Sequence, residues 1–173
     1  MRKRSKAREY ALQALYQADI RHVDAKEVLQ SFWRDQDAID EITSFANRLV
    51  VGTLAHLASV DGLIQKHTDN WDIKRMAVVD RNILRLGVYE LLYQEDVPPS
   101  VCINESIELA KRFADAESAK FINGILDAVY KAQRASKTPK HAASGDGAKA
   151  QEANGIVSIN PFAPEDKKTK KAT

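Results

Sequence analysis

Histidine, cysteine and carboxylate are the side chains most able to carry chemistry, and their placement in this chain argues against it. His22, His56, His67 and His141 fall in no ligand spacing such as His-x-x-x-His, and no Glu-x-x-His pair occurs. Cys102 is the sole cysteine, which excludes an intramolecular disulfide and a cysteine-rich zinc site and reads as a reduced, structural thiol. The body has no glycine-rich loop, no Gly-Lys-Ser/Thr phosphate cradle and no Gly-x-Ser-x-Gly elbow. Its many acids stand at the density of solvated helix faces rather than as isolated acid–base pairs. The chain is therefore expected to be no enzyme and to need neither cofactor nor metal.

A second chemistry, the recognition of anions, has better support. Arg2, Lys3, Arg4, Lys6 and Arg8 crowd the first eight residues with no acid among them, whereas residues 9–134 hold 14 basic and 20 acidic side chains. A cationic head on an acidic body favours an anionic partner at that one end, although a solvated basic terminus would look the same. Directly downstream, Ala7, Ala11, Ala14, Leu15 and Ala18 fall on one arc of a helix, and Gln13 and Tyr16 project from the opposite side with Lys6 and Glu9. Cations hold phosphates and an exposed aromatic ring offers a platform to an unpaired base, so this face suits single-stranded RNA better than duplex DNA. Alternatively, Tyr16 joins Leu12 in a second apolar strip facing the protein, and periodicity alone leaves both readings open.

The elements that must position these residues are helical. Between residues 5 and 134 there are four glycines and only two prolines, Pro98 and Pro99, and apolar residues recur at helical spacing, as in Ile42, Phe45, Ala46, Leu49, Val50, Leu57, Val60 and Ile64. The pattern predicts an all-α fold with helices near 5–21, 25–35, 38–67, 79–95, 100–114 and 118–134, and a short irregular or helical piece around Trp71–Met76. Ser100 is the expected N-cap after the two prolines. The helix 79–95 is apolar nearly all round and must be covered on two sides. In the last helix Ile122, Ile125, Leu126 and Val129 form the inward stripe, and Phe121 lies beside Lys120 on its flank, either partly exposed near the helix start or a core-edge ring. After Arg134 the periodic apolar face ends, so 136–173 reads as a disordered tail whose cluster Ile156, Val157, Ile159 and Phe162 is either a docking peptide or passive. No stretch resembles a signal peptide or a membrane span, which leads us to expect a cytoplasmic protein.

Four blocks carry a resemblance: Ala7-Arg-Glu-Tyr-Ala-Leu-Gln-Ala-Leu-Tyr16, Val79-Asp-Arg-Asn-Ile-Leu-Arg-Leu-Gly-Val-Tyr-Glu-Leu-Leu-Tyr93, Val101-Cys-Ile-Asn-Glu-Ser-Ile-Glu-Leu-Ala-Lys111 and Lys120-Phe-Ile-Asn-Gly-Ile-Leu-Asp127. In order and spacing they resemble the NusB family, over about residues 2–134. The resemblance implies a seven-helix fold of two small subdomains, about 1–70 and 71–135. It further implies a transcription antitermination factor that binds the boxA element of ribosomal RNA transcripts, usually with the small-subunit ribosomal protein NusE. Other Nus factors and RNA polymerase are then reached indirectly.

Carried over position by position, the family's RNA surface falls on the basic head (Arg2, Lys3, Arg4, Lys6, Arg8), Gln13, Tyr16, and Glu117, Ser118, Lys120 and Phe121. Its protein-partner surface falls on Asp80, Arg81, Leu84 and Arg85. Burial between neighbouring helices is the plainer account of those four, and Asp80 and Arg81 also suit a helix cap. One departure is visible, since Ser5 and Lys6 interrupt the arginine run often found in the family's head, which predicts weaker phosphate binding. Two other readings remain. A homodimer would bury the same surfaces, and an RNA methyltransferase fragment would need a glycine-rich cofactor unit that the residues after 134 do not supply.

Overall fold

The computed structural model describes residues 2–68 and 71–137, so the tail expectation, including its apolar cluster, lies outside the described residues. Seven α-helices and no strand occur among them: α1 (Lys3–Arg21), α2 (Ala25–Phe32), α3 (Asp40–Ala55), α4 (Leu57–Lys66), α5 (Val78–Tyr93), α6 (Pro99–Phe113) and α7 (Ala116–Lys137), with a 3₁₀ turn at Ile73–Arg75.

α1 is built to be approached closely. Ala7, Ala11, Ala14, Leu15 and Ala18 are all buried, and the small side chains let α2, α3 and α5 lie against one face. The helix stops at His22, which takes a left-handed conformation (φ 55°) and donates its backbone N–H to the Ala18 carbonyl. α2 starts on an Asp24 cap, whose carboxylate accepts from Glu27 N–H at 2.8 Å.

α5 is the centre of the molecule. Every residue from Asn82 to Glu90 is buried, as its all-round apolar pattern requires, with α1, α3, α4, α6 and α7 all packed against it. Each fully buried leucine or isoleucine on it contributes on the order of 2 kcal/mol. Two glycines make the crossings possible. A Cβ at Gly52 of α3 would run into the Tyr89 ring, and one at Gly87 of α5 would stand 2.7 Å from Ser106 Oγ on α6.

Three boundaries differ from expectation, each for a local reason. The single helix expected over 38–67 breaks at His56, whose backbone (φ −106°, ψ 16°) leaves the helix while its imidazole Nδ1 pairs with the Gly52 carbonyl at 2.9 Å. The apolar stripe continues across the break, with Leu49 and Val50 of α3 and Val60 and Ile64 of α4 all buried. Before α6 the N-cap position falls to Pro98 and Pro99 opens the helix, because proline needs no partner for a missing N–H; Ser100 is exposed and caps nothing. No side chain caps α5 either, so Asp80 and Arg81 are spent on other partners.

Candidate nucleic-acid interface

The outer strip of α1 is what its inner alanine face leaves behind. Tyr16 is 41% exposed, Gln13 is half-buried beside it, and Ile20 follows one turn later on the open side. A tyrosine left open on a helix whose other face is packed alanine presents its ring to solvent rather than to the core. Glu9, expected on this strip, is covered instead: Lys6 Nζ reaches it at 3.2 Å and Arg112, from the end of α6, pairs with its other oxygen. Lys6 also lies over the Tyr10 ring, 4.6 Å from its centroid.

The start of α7 meets the start of α5. Asp115 caps α7, its carboxylate accepting from Ser118 N–H at 2.7 Å, and this bond holds the acid below its ordinary range. Ser118 Oγ donates to Asp80 at 3.0 Å. Burial pushes the Asp80 carboxyl up and nearby Asp115 adds to the push, against that hydrogen bond. Over this pair opens a cleft of about 300 Å³ lined by Trp71, Met76, Asp80, Glu117, Ser118 and Phe121. Trp71 and Phe121, 37% exposed, form its rim with ring centroids 6.4 Å apart. Carboxylates there repel phosphate but accept hydrogen bonds from base amino groups, and the rings supply apolar faces.

The head of α1 is electrostatically different. Lys3 pairs with Glu41 at 2.5 Å and Arg4 with Asp96 at 3.0 Å, all with side chains about half exposed. Exposed, loosely paired cations exchange their partners at little cost, so this end is able to meet phosphate, whereas the open rings of the strip and the cleft are able to meet bases.

The NusB family model matches residues 5–131. The chain belongs to the NusB family. It is 45% identical over 139 residues to the transcription antitermination protein NusB of Thermodesulfovibrio yellowstonii, covering 75% of this chain and 92% of that protein. Among solved structures it resembles T. maritima NusB (37% identity, TM-score 0.68, 74% of this chain and 90% of that one). It also resembles a chain from a complex of the antitermination factors NusB and NusE with double-stranded RNA (34% identity, TM-score 0.70, 76% and 98%). The matched residues 5–131 include the four blocks on α1, α5, α6 and α7.

Against the positions carried over from the NusB family, the structure keeps Arg2, Lys3, Arg4, Lys120, Glu117 and Phe121 exposed and Lys6, Gln13 and Ser118 half-buried. Arg8 departs from that surface. It is 2% exposed, and its Nε and Nη2 hold both oxygens of Glu90 on α5 at 2.7–3.0 Å, with Glu105 3.6 Å from Nη1. Burial opposes its charge, but the bonds it donates to Glu90 and the Glu90 charge outweigh it and hold the guanidinium protonated. Two members of the expected partner surface are likewise inside. Leu84 is fully buried, and Arg85 is locked to Asp61 through two bonds of 2.7 Å and to Asp19 at 2.9 Å. Arg81 joins the same Asp19 at 2.8 Å, and of the four expected residues only Asp80 and Arg81, in the first turn of α5, are half-buried rather than buried. Burial would raise the Asp19 carboxyl, but bonds from Asn82 and Arg81 and the Arg85 charge bring it below its ordinary range.

Trp71 was invisible to helical periodicity because it sits between elements, where an aromatic has no face to be assigned to. The Cys102 thiol is buried and pushed up to about 12, chiefly by desolvation, which makes it inert as expected. Among the described residues no group of three His, Cys, Asp or Glu side chains could hold a metal, and no helix is long and apolar enough to cross a membrane.

Proposed function

We propose that this chain is a cytoplasmic transcription antitermination factor. It binds single-stranded, boxA-type RNA of ribosomal RNA transcripts, with the small-subunit ribosomal protein NusE, and so suppresses premature termination by RNA polymerase. It acts by binding and catalyses no reaction. The observation that carries this reading is Tyr16, an open ring on the face of α1 opposite a fully buried alanine stripe, downstream of the exposed cations Arg2, Lys3 and Arg4. Phosphates meet the head, one base stacks on Tyr16, and another enters the cleft under Trp71 and Phe121, with Glu117 as acceptor for its amino group. The protein partner takes the first turn of α5, since Leu84 and Arg85 lie within the body.

Anisotropy titration of a boxA-type single strand, and of the same sequence as a duplex, with and without the ribosomal protein, tests the reading. Tighter binding of the single strand, strengthened by the protein partner, is expected. Duplex bound as tightly, with no effect of Tyr16→Ala, overturns it. Sedimentation in the same buffers reports whether the free protein pairs with itself.

A further inference from the structure

Phe45 on α3 is nearly buried, yet three guanidiniums converge on its ring. The Cζ atoms of Arg4, Arg8 and Arg48 lie 5.0, 5.3 and 5.0 Å from its centroid. Arg8 is spent on Glu90 inside the protein. Arg4 and Arg48 turn outward, with side chains 52% and 48% exposed, and share a single carboxylate: Asp96 Oδ2 is 3.0 Å from Arg4 Nη2 and 3.2 Å from Arg48 Nη2. Two cations thus stand side by side on one anion.

We propose that Arg48 completes, with Arg4, a two-guanidinium site for one RNA phosphate, a site assembled from α1 and α3 rather than from the basic head alone. The proposal rests on the RNA-binding reading above. Three features argue for it. The pair carries net positive charge, because Asp96 is held below its ordinary carboxyl range by Arg48 and Arg4 despite its desolvation, stays ionised and cancels only one of them. Both planes are pre-ordered by the Phe45 face, so little side-chain freedom is lost when a phosphate arrives, and a planar fork can meet it through paired bonds. Most of their N–H donors remain available, since Asp96 occupies only one edge of each.

Arg48 also answers the departure seen in the sequence. The head has lost part of its arginine run to Ser5 and Lys6, and Arg8 has been withdrawn into the core. A guanidinium from α3 takes the place beside Arg4 that a continuous run would have filled. Arg4 precedes Tyr16 by about 18 Å along the helix axis and stands about 120° round from it. The phosphate gripped here therefore lies beyond the base-stacking strip, and the contact is blind to sequence. A merely structural tie between α1, α3 and the α5–α6 turn would instead show in stability, and an exposed pair of this kind is worth little there.

The test is salt-dependent RNA binding of the full chain with its ribosomal partner, on a boxA-type single strand and a scrambled strand of equal length. Arg48→Ala should lower the slope of log affinity against log salt by about 0.7, the value for one phosphate on a single strand. It should weaken both RNAs by the same factor and leave the melting temperature within a few degrees of the parent. Arg48→Lys should keep the slope but bind less tightly. Asp96→Asn, which removes the competing anion, should tighten binding at low salt. An unchanged slope in Arg48→Ala, a loss confined to the boxA-type strand, or weaker binding by Asp96→Asn overturns the site. If the parent protein binds neither strand, the RNA reading itself has failed, whatever Arg48 does.

Discussion

Arg4 and Arg8 stand one turn apart on α1 and meet the same phenylalanine ring, but they belong to different regions of the molecule. Arg8 reaches inward to the seam between α1 and α5, where it has Glu90 to itself under complete burial. Arg4 reaches outward to the head, where it shares Asp96 with Arg48 in water. The seam repeats its own rule at the other end of α1, where Arg81 and Arg85 close on Asp19 and Asp61. In the seam the charges are matched under burial, and Arg8 cannot leave without stranding Glu90. At the head the charges are matched loosely and can exchange a carboxylate for a phosphate. On the proposed reading the same residue type serves cohesion in one region and recognition in the other, and the two regions should respond oppositely to mutation.

The seam should give the largest effect. Arg8→Ala leaves the Glu90 carboxylate buried without its guanidinium and is expected to destabilise the fold by about 3–5 kcal/mol, measured by chemical denaturation. Replacing both partners with leucine should recover much of the loss, because it removes the stranded charge. A cost under about 1 kcal/mol for the single variant would mean that the seam is solvated and the contrast with the head false.

Acid should act on the seam as well. Asp19 is held below its ordinary range in the folded protein, so its stabilisation is complete above the unfolded value of about 4 and is lost as pH falls through the lower, folded value. Asp19→Asn is expected to cost on the order of 1.5–3 kcal/mol at pH 7 and to flatten the loss of stability between about pH 4 and lower pH. Parallel acid curves for parent and variant would remove Asp19 from that role.

Recognition should appear where stability does not. Tyr16→Ala is expected to weaken binding of the boxA-type strand by about 1–3 kcal/mol, with Tyr16→Phe retaining much of the affinity. The melting temperature should stay within a few degrees of the parent, because a ring 41% exposed contributes little to the core. A large fall in melting temperature with RNA affinity intact returns Tyr16 to the packing of α1.

How much of this was readable beforehand divides along the same line. The all-α fold and the two-sided burial of α5 follow from periodicity, which reports the angle of a residue about its own helix axis, whereas for Tyr16 periodicity allowed both an open ring and a packed one and the structure decides for the open ring. Periodicity does not report what lies at that angle. Arg8 and Arg4 were both cations of one head in the sequence, and only the distant Glu90 and Asp96 separate them. Burial was the plainer account of Arg85 and the structure has it buried, but periodicity could not name its carboxylates, which come from α1 and α4. Arg48, 40 residues after Arg8, gave no local signal at all. Trp71 and the break at His56 belong to junctions, where the helical repeat has nothing to say.

The head should give the smallest change in stability and, with it, the sharpest view of the contrast. Lys3 and Glu41 are ion-paired at 2.5 Å with side chains 57% and 64% exposed. Such a pair gains modest Coulomb energy in water and loses side-chain entropy in holding two long chains together, so its net worth is under about 1 kcal/mol. In Arg4→Ala, Asp96 still has Arg48, so no charge is stranded. The double variant of Lys3 and Arg4 to alanine should therefore melt within a few degrees of the parent. Its RNA binding should nevertheless lose salt dependence by about 0.7 in slope for each phosphate contact removed, because counterion release depends on cations that reach phosphate and not on how tightly they pair within the protein. Stability and slope measured on the same sample decide the matter. A double variant that unfolds at seam-like cost with the parent's slope would show that the head, like Arg8, holds the fold together and that the RNA must be held elsewhere.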